Sequence, residues 1–147
     1  MLVETKTKGC VEISNDRLIS IPSGLFGFEE YTDFALVDSE YEPLMWLQSL
    51  QEKNLAFLLI DPFLITDDYE AEIDDSELLK IGIKDHADVM VLTIVTVPDD
   101  GSAVTANFQG PLIINKKNHQ CMQAILDGSK YTTKHNILEA LKRKEAK

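Results

Sequence analysis

Between Asp61 and Glu77 the chain reads DPFLITDDYEAEIDDSE, eight carboxylates with no lysine or arginine among them. Carboxylates at this density can hold Ca²⁺, or, as an opposed pair in a cleft, hydrolyse a glycosidic bond by acid–base chemistry. The spacing supports neither. A calcium loop needs its D-x-D-x-D-G pattern, and this run contains no glycine. Opposed carboxylates are a property of a cleft, which spacing alone does not show. Tyr69, Ala71 and Ile73 alternate with Glu70 and Glu72, which predicts an edge strand with one packed face and one row of charge. Such charges guard an edge against mispairing, so solvated edge protection is the default reading.

The other reactive side chains are sparse. The histidines are His86, His119 and His135, and no H-x-x-x-H or C-x-x-C spacing offers a metal site. His119-Gln120-Cys121 places a base and a thiol on one face of a strand, the minimum for a nucleophile pair. Neighbours of this kind arise often by chance. There is no G-x-S-x-G and no phosphate-binding glycine loop. The expectation is a protein that is not an enzyme, with no catalytic residue, cofactor or metal. A small hydrolase using Cys121 and His119 is the alternative, and Cys121→Ser would separate the two.

Charge excludes more than motifs do. The chain of 147 residues carries a net −11. Residues 1–115 hold 6 Lys and Arg against 22 Asp and Glu, a net −16, whereas residues 116–147 hold 8 against 3, a net +5. An acidic body repels phosphate, so direct nucleic-acid binding is not expected, but a basic protein is a suitable partner. Charge that only keeps the protein soluble is the simpler account. No apolar run approaches membrane-spanning length and nothing resembles a signal peptide, so a cytoplasmic location is expected. Two cysteines without motif spacing fit a reducing compartment.

These side chains need a scaffold, and its centre is Val89 to Asn115, VMVLTIVTVPDDGSAVTANFQGPLIIN. Val89 to Val97 is rich in β-branched residues, which are stiff at χ1 and suit a pleated surface, and its continuous apolar character predicts burial on both faces. Pro98 to Gly101 supplies a turn, Ala103 to Asn107 a second strand, and Leu112 onward its continuation past a bulge at Gly110-Pro111. Further strands are expected over residues 3–14 (with a bulge at Gly9-Cys10), Leu18 to Ile21, Phe34 to Val37, Met45 to Leu50, and Leu55 to Asp61. Trp46 is expected in the core. His119 to Leu126 is ambiguous between helix and strand, and a hairpin with Leu112 to Asn115 favours strand.

Ser23 to Glu29 interleaves Leu25, Phe26 and Phe28 with two glycines three apart, Gly24 and Gly27. It is either a loop plugged into one end of the barrel or an exposed aromatic patch, and the plug is expected because such loops pack inward. A short helix is expected near residues 75–82, from Glu77 to Ile81, stopped by Gly82. A basic amphipathic helix is expected over 135–147. The sum is a single all-β, mainly antiparallel, barrel-like domain over 1–147. Its large inward apolar residues argue for a filled lumen rather than a small-ligand cavity.

An ordered set of short matches adds to this. They are Gly24-Leu25-Phe26-Gly27-Phe28-Glu29, Phe34-x-Leu36, Leu47-Gln48-Ser49 and Phe57 through Asp61-Pro62. After these come Thr105-x-Asn107-Phe108-x-Gly110-Pro111-Leu112-Ile113-Ile114-Asn115, Gln123-x-Ile125-Leu126 and Tyr131. In this order, over nearly the whole chain, the sequence resembles the FliW family of bacterial flagellar assembly factors. Two positions depart from the family's pattern, Phe108 where Leu is usual and Gly110 where Ala is usual. The resemblance implies a cytoplasmic, non-enzymatic β-barrel-like protein, monomeric on its own, with two alternative protein partners. One is flagellin, held before export; the other is CsrA, the carbon storage regulator, an RNA-binding repressor of flagellin translation. The candidate partner-binding residues are Asp67, Asp68, Tyr69, Glu70 and Glu72 in the acidic run, with Asn107, Phe108 and Pro111 from the matched motif.

Overall fold

The computed structural model describes residues 1–98, 103–128 and 130–138. The β-branched and aliphatic runs become strands, and every ladder among them is antiparallel. In chain order the strands are β1 (Leu2–Thr5), β2 (Gly9–Glu12), β3 (Leu18–Ser20), β4 (Asp33–Asp38), β5 (Met45–Ser49), β6 (Ala56–Ile60) and β7 (Val89–Thr96). They continue with β8 (Thr105–Ala106), β9 (Leu112–Asn115), β10 (Cys121–Gln123) and β11 (His135–Asn136). One sheet runs β10-β9-β7-β6-β5-β4-β3, with β8 on β7 and β11 on β8. The β1–β2 hairpin stands apart as a second sheet.

The main sheet is strongly bent. Ile19, Phe34, Leu36, Leu47, Leu59, Leu92, Leu112, Ile114 and Cys121 come from all seven strands of its path and share one buried cluster. A flat sheet of that width has no such common centre. Its two outer strands meet at one parallel bridge, Ser20 with Gln120, where the Ser20 amide donates to the His119 carbonyl at 3.0 Å. The ladder therefore does not close into a barrel; the ends touch at a point. On the convex side Ala35 and Val37 of β4 pack with Val3 and Ile13 under the β1–β2 hairpin, and Trp46 and Leu50 are half-buried against them.

β7 is the hub, as its composition demands. One edge pairs β6 through Thr93, Ile94 and Val95, and the other carries β9 over Val89–Leu92 and β8 over Val95–Thr96. Between the Leu92–Leu112 and Val95–Ala106 pairs, β7 advances three residues while its facing arm advances six. The extra length is the expected bulge, wider than Gly110-Pro111 alone: the Asn107 side-chain oxygen accepts from the Gly110 amide at 2.8 Å and folds the loop. Leu92 and Val95 are buried, but Val89, Met90 and Val91 are only half-buried, so the N-terminal half of β7 is open on one face.

Four expectations need correction. Residues 3–14 form a hairpin, not one bulged strand, because the Thr5 hydroxyl donates to the Gly9 carbonyl (2.7 Å) and accepts from the Lys8 amide (2.8 Å), closing the turn. The acidic run is not an edge strand: no strand occurs between Asp61 and Asp74. Its amides turn on local backbone carbonyls, as at Leu64, Ile65, Thr66 and Tyr69, and on side chains, as at Phe63 and Glu70. The helix α1 (Asp75–Leu79) starts two residues earlier than expected, and the Asp74 side chain makes no capping hydrogen bond. It ends at Leu79, two residues short of the expected Ile81, and the turn that follows closes at Gly82, whose φ of +78° is one that side chains resist. The basic tail begins as a strand: β11 pairs β8, and Ile137 donates to the Val104 carbonyl at 3.0 Å. Residues 139–147 of the expected tail helix, and Asp99 to Ser102 in the central turn, lie outside the described residues.

Candidate functional site

Tyr69 is the pivot of the acidic run. The segment leaves β6 through a turn at Pro62–Leu64, where the Asp61 carboxylate accepts from the Phe63 amide at 2.9 Å. Tyr69 then turns inward and is 3 % exposed. Its hydroxyl donates to the Phe108 carbonyl at 2.7 Å, and its ring meets Phe108 at 5.1 Å and Tyr131 at 4.6 Å between centroids. Phe108 is fully buried and stacks on His135 at 4.3 Å. Desolvation, with Tyr131 nearby, pushes the Tyr69 phenol well above its ordinary pKa.

Tyr131 holds the neighbouring backbone. Its hydroxyl accepts from the Glu70 amide at 2.7 Å and reaches the Asp68 carbonyl at 3.4 Å. Lys130 lies 3.8 Å from the Glu70 carboxylate. The Asp68 carboxyl, hydrogen-bonded by the Thr66 hydroxyl, is held below its ordinary pKa and stays ionised. Asp67, Asp68, Glu70 and Glu72 are all exposed. The core-directed aromatics thus anchor an irregular segment whose carboxylates face solvent.

The eight candidate residues therefore divide. Asp67, Asp68, Glu70 and Glu72 are at the surface, whereas Tyr69, Phe108 and Pro111 are buried and act from beneath. Asn107, half-buried, folds its own loop through Gly110. The Gly110 carbonyl accepts from the Gln123 side chain at 3.1 Å, and the Gln123 oxygen accepts from the Phe26 amide at 3.0 Å. Gln123 so ties the Asn107–Pro111 loop to the Leu25–Glu29 loop.

That second loop is split. Leu25 is buried in the main core as a plug, but Phe26 is 55 % exposed and Phe28 37 %, its ring edge-on to Phe57 at 5.2 Å. The expectation of an inward plug holds for Leu25 alone. Phe26, with Ile125 at 65 % exposure two residues from Gln123, is surface that the sequence placed inside. The matched motif contains both, and the exposure of their side chains follows from register rather than type.

Beside the acidic run lies an open groove of about 820 Å³. Ala71, Ile73, Val89, Val91, Ile113 and Leu126 form its floor, and Glu70, Glu72, Asp74 and Asp127 stand around it with Lys130 and His86. Sequence reasoning missed this feature because the half-exposed floor comes from residues typical of a core.

The Cys121 and His119 pair is not arranged for nucleophilic chemistry. Cys121 is 1 % exposed, and burial raises its thiol far above the ordinary range, so no thiolate forms near neutrality. His119 is not on its strand but in the preceding turn, at φ +60°. Among the described residues, no three His, Cys, Asp or Glu side chains gather to hold a metal ion, and no helix is long and apolar enough to cross a membrane.

The fold and its surface define a class: a small, mainly antiparallel β domain with an exposed acidic run beside a groove of apolar floor. The family model described as FliW protein matches residues 2–137, and the chain belongs to the FliW family. It is 50 % identical over 141 residues to the flagellar assembly factor FliW of Treponema denticola, covering 96 % of each chain. To the flagellar assembly factor FliW of Treponema pallidum it is 45 % identical over 146 residues, 99 % of this chain and 97 % of that one. A crystal structure of the flagellar assembly factor FliW superposes with a TM-score of 0.83 at 34 % identity, covering 93 % of this chain and 96 % of the other.

Proposed function

We propose that the protein is a non-enzymatic flagellar assembly factor of the cytoplasm that binds flagellin and, when free of it, binds and antagonises CsrA. Relief of CsrA repression would then rise as unexported flagellin falls. The observation that carries this reading is the solvent-facing acidic run, held in place by Tyr69 and Tyr131 without a partner strand. A negatively charged surface attracts a basic RNA-binding protein, and once docked it repels the phosphates of that protein's RNA. The buried, protonated Cys121 thiol speaks against the alternative of a hydrolase that uses it.

Pull-down of the protein with CsrA and with flagellin, each with and without the other, tests the proposal. Each partner alone is expected to bind, and saturating flagellin is expected to raise the apparent Kd for CsrA. A stable ternary complex on size exclusion would refute mutual exclusion, and failure of both partners to bind would refute the function.

A further inference from the structure

The groove beside the acidic run combines an apolar floor with a rim of one dominant sign. Ala71, Ile73, Val89 and Val91 are each half-buried on that floor, so hydrocarbon from the hub strand β7 remains partly in water. Among the described residues no strand pairs across it, since none occurs between Asp61 and Asp74. The rim carboxylates Glu70, Glu72, Asp74 and Asp127 outnumber the one lysine, and that lysine already lies 3.8 Å from Glu70. His86 on the same rim is 3.3 Å from Asp75.

We propose that this groove is a docking site for a basic amphipathic segment of a partner protein, with aliphatic side chains on the floor and Lys or Arg between the rim carboxylates. The sign of the rim selects the occupant. An acidic segment would meet like charge, and a neutral apolar one would strip water from carboxylates without supplying a counter-charge. A basic amphipathic segment satisfies both surfaces at once, in the manner of helices laid into apolar grooves. The inference rests on the reading of this chain as a protein-binding regulator and adds to it a place and a chemistry of contact.

The test uses the full chain and synthetic probes, so its failure is distinct from failure to bind CsrA or flagellin. A labelled peptide with leucines at i, i+3, i+4 and i+7 and lysines on its flanks is titrated by fluorescence anisotropy. Two companions replace the lysines by glutamate or the leucines by serine. The Leu/Lys peptide is expected to bind and both companions to bind at least about tenfold more weakly. The paired reversal Glu72→Lys with Asp127→Lys, at exposed rim positions, is expected to weaken binding by about tenfold or more, while Glu30→Lys with Glu52→Lys, remote from the groove, leaves it within about twofold. Melting curves confirm that both variants are folded. No binding, equal binding of the serine peptide, or equal loss in the remote variant would overturn the proposal. Self-association abolished by the rim reversal, without peptide uptake, would also overturn it by assigning the groove to a second copy of the chain.

Discussion

Single side chains carry three expectations. Cys10 is exposed and Cys121 is buried with its thiol held protonated, so a thiol reagent at neutral pH should label one cysteine in the native protein and two in denaturant. Labelling of both in the native state would mean that the core around β10 opens. Tyr69→Phe removes one buried hydrogen bond and leaves the Phe108 carbonyl without that donor, which should cost about 1–3 kcal/mol in chemical denaturation. The same residue gives a pH signature. Its folded pKa is raised, so the folded state keeps the proton that the unfolded chain loses above about pH 10. Stability from this group is intact below that pH and falls as pH rises beyond it, and Tyr69→Phe should remove that component of the alkaline slope. Phe28→Ala should cost about 1–2 kcal/mol, less than the about 3–5 kcal/mol of a fully buried ring, because Phe28 keeps part of its surface in water. A loss of the larger size in urea would place the ring in the core.

At the scale of elements, short loops set the geometry that the strands cannot. Gly24 has φ +69°, and a Cβ there would lie 2.4 Å from the Glu29 Cα, an approach that backbone on both sides prevents from relaxing. Gly24→Ala should therefore destabilise by about 3 kcal/mol or more, well above the cost of left-handed backbone alone. A melting temperature near that of the wild type would show that the loop can rearrange, and would weaken the idea that it fixes Leu25 in the core. The acidic segment depends on the same kind of local anchoring. With no strand partner, it is held by Tyr69 on Phe108 and by Tyr131 on Glu70, so its position is decided by side chains from distant parts of the chain.

For the whole molecule, charge is the property that acts beyond contact. Exchanging Asp67, Asp68, Glu70 and Glu72 for Asn or Gln alters four exposed groups and none of the buried anchors. The folded state should persist. CsrA binding should remain measurable, while displacement of labelled flagellin-leader RNA from CsrA should weaken, because exposed charges steer and repel more than they adhere. The defect should be largest at low salt, since the Debye length is about 10 Å at 0.1 M and shortens as salt rises. Equal RNA displacement by both proteins at low and high salt would reduce the run to a solubility device.

The sequence by itself determined the antiparallel β class, the hub at Val89–Thr96, the hairpin of Leu112–Asn115 with a strand inside His119–Leu126, and the family. Those features are written in local periodicity, turn chemistry and an ordered set of motifs. Tertiary structure alone decided what the acidic run became. Its alternation of apolar and charged residues is that of a strand, but a strand needs a neighbour, and the free edge of β7 was already taken by β8 and β9. The alternation already turns Tyr69 to the packed face, but aromatic type alone left Tyr69 and Phe108 as contact candidates too; their mutual hydrogen bond and ring contact put both inside. The groove was illegible for the converse reason. Valines and isoleucines read as core wherever they stand, and only the tertiary fold leaves Ile73, Val89 and Val91, with Ala71, half in water.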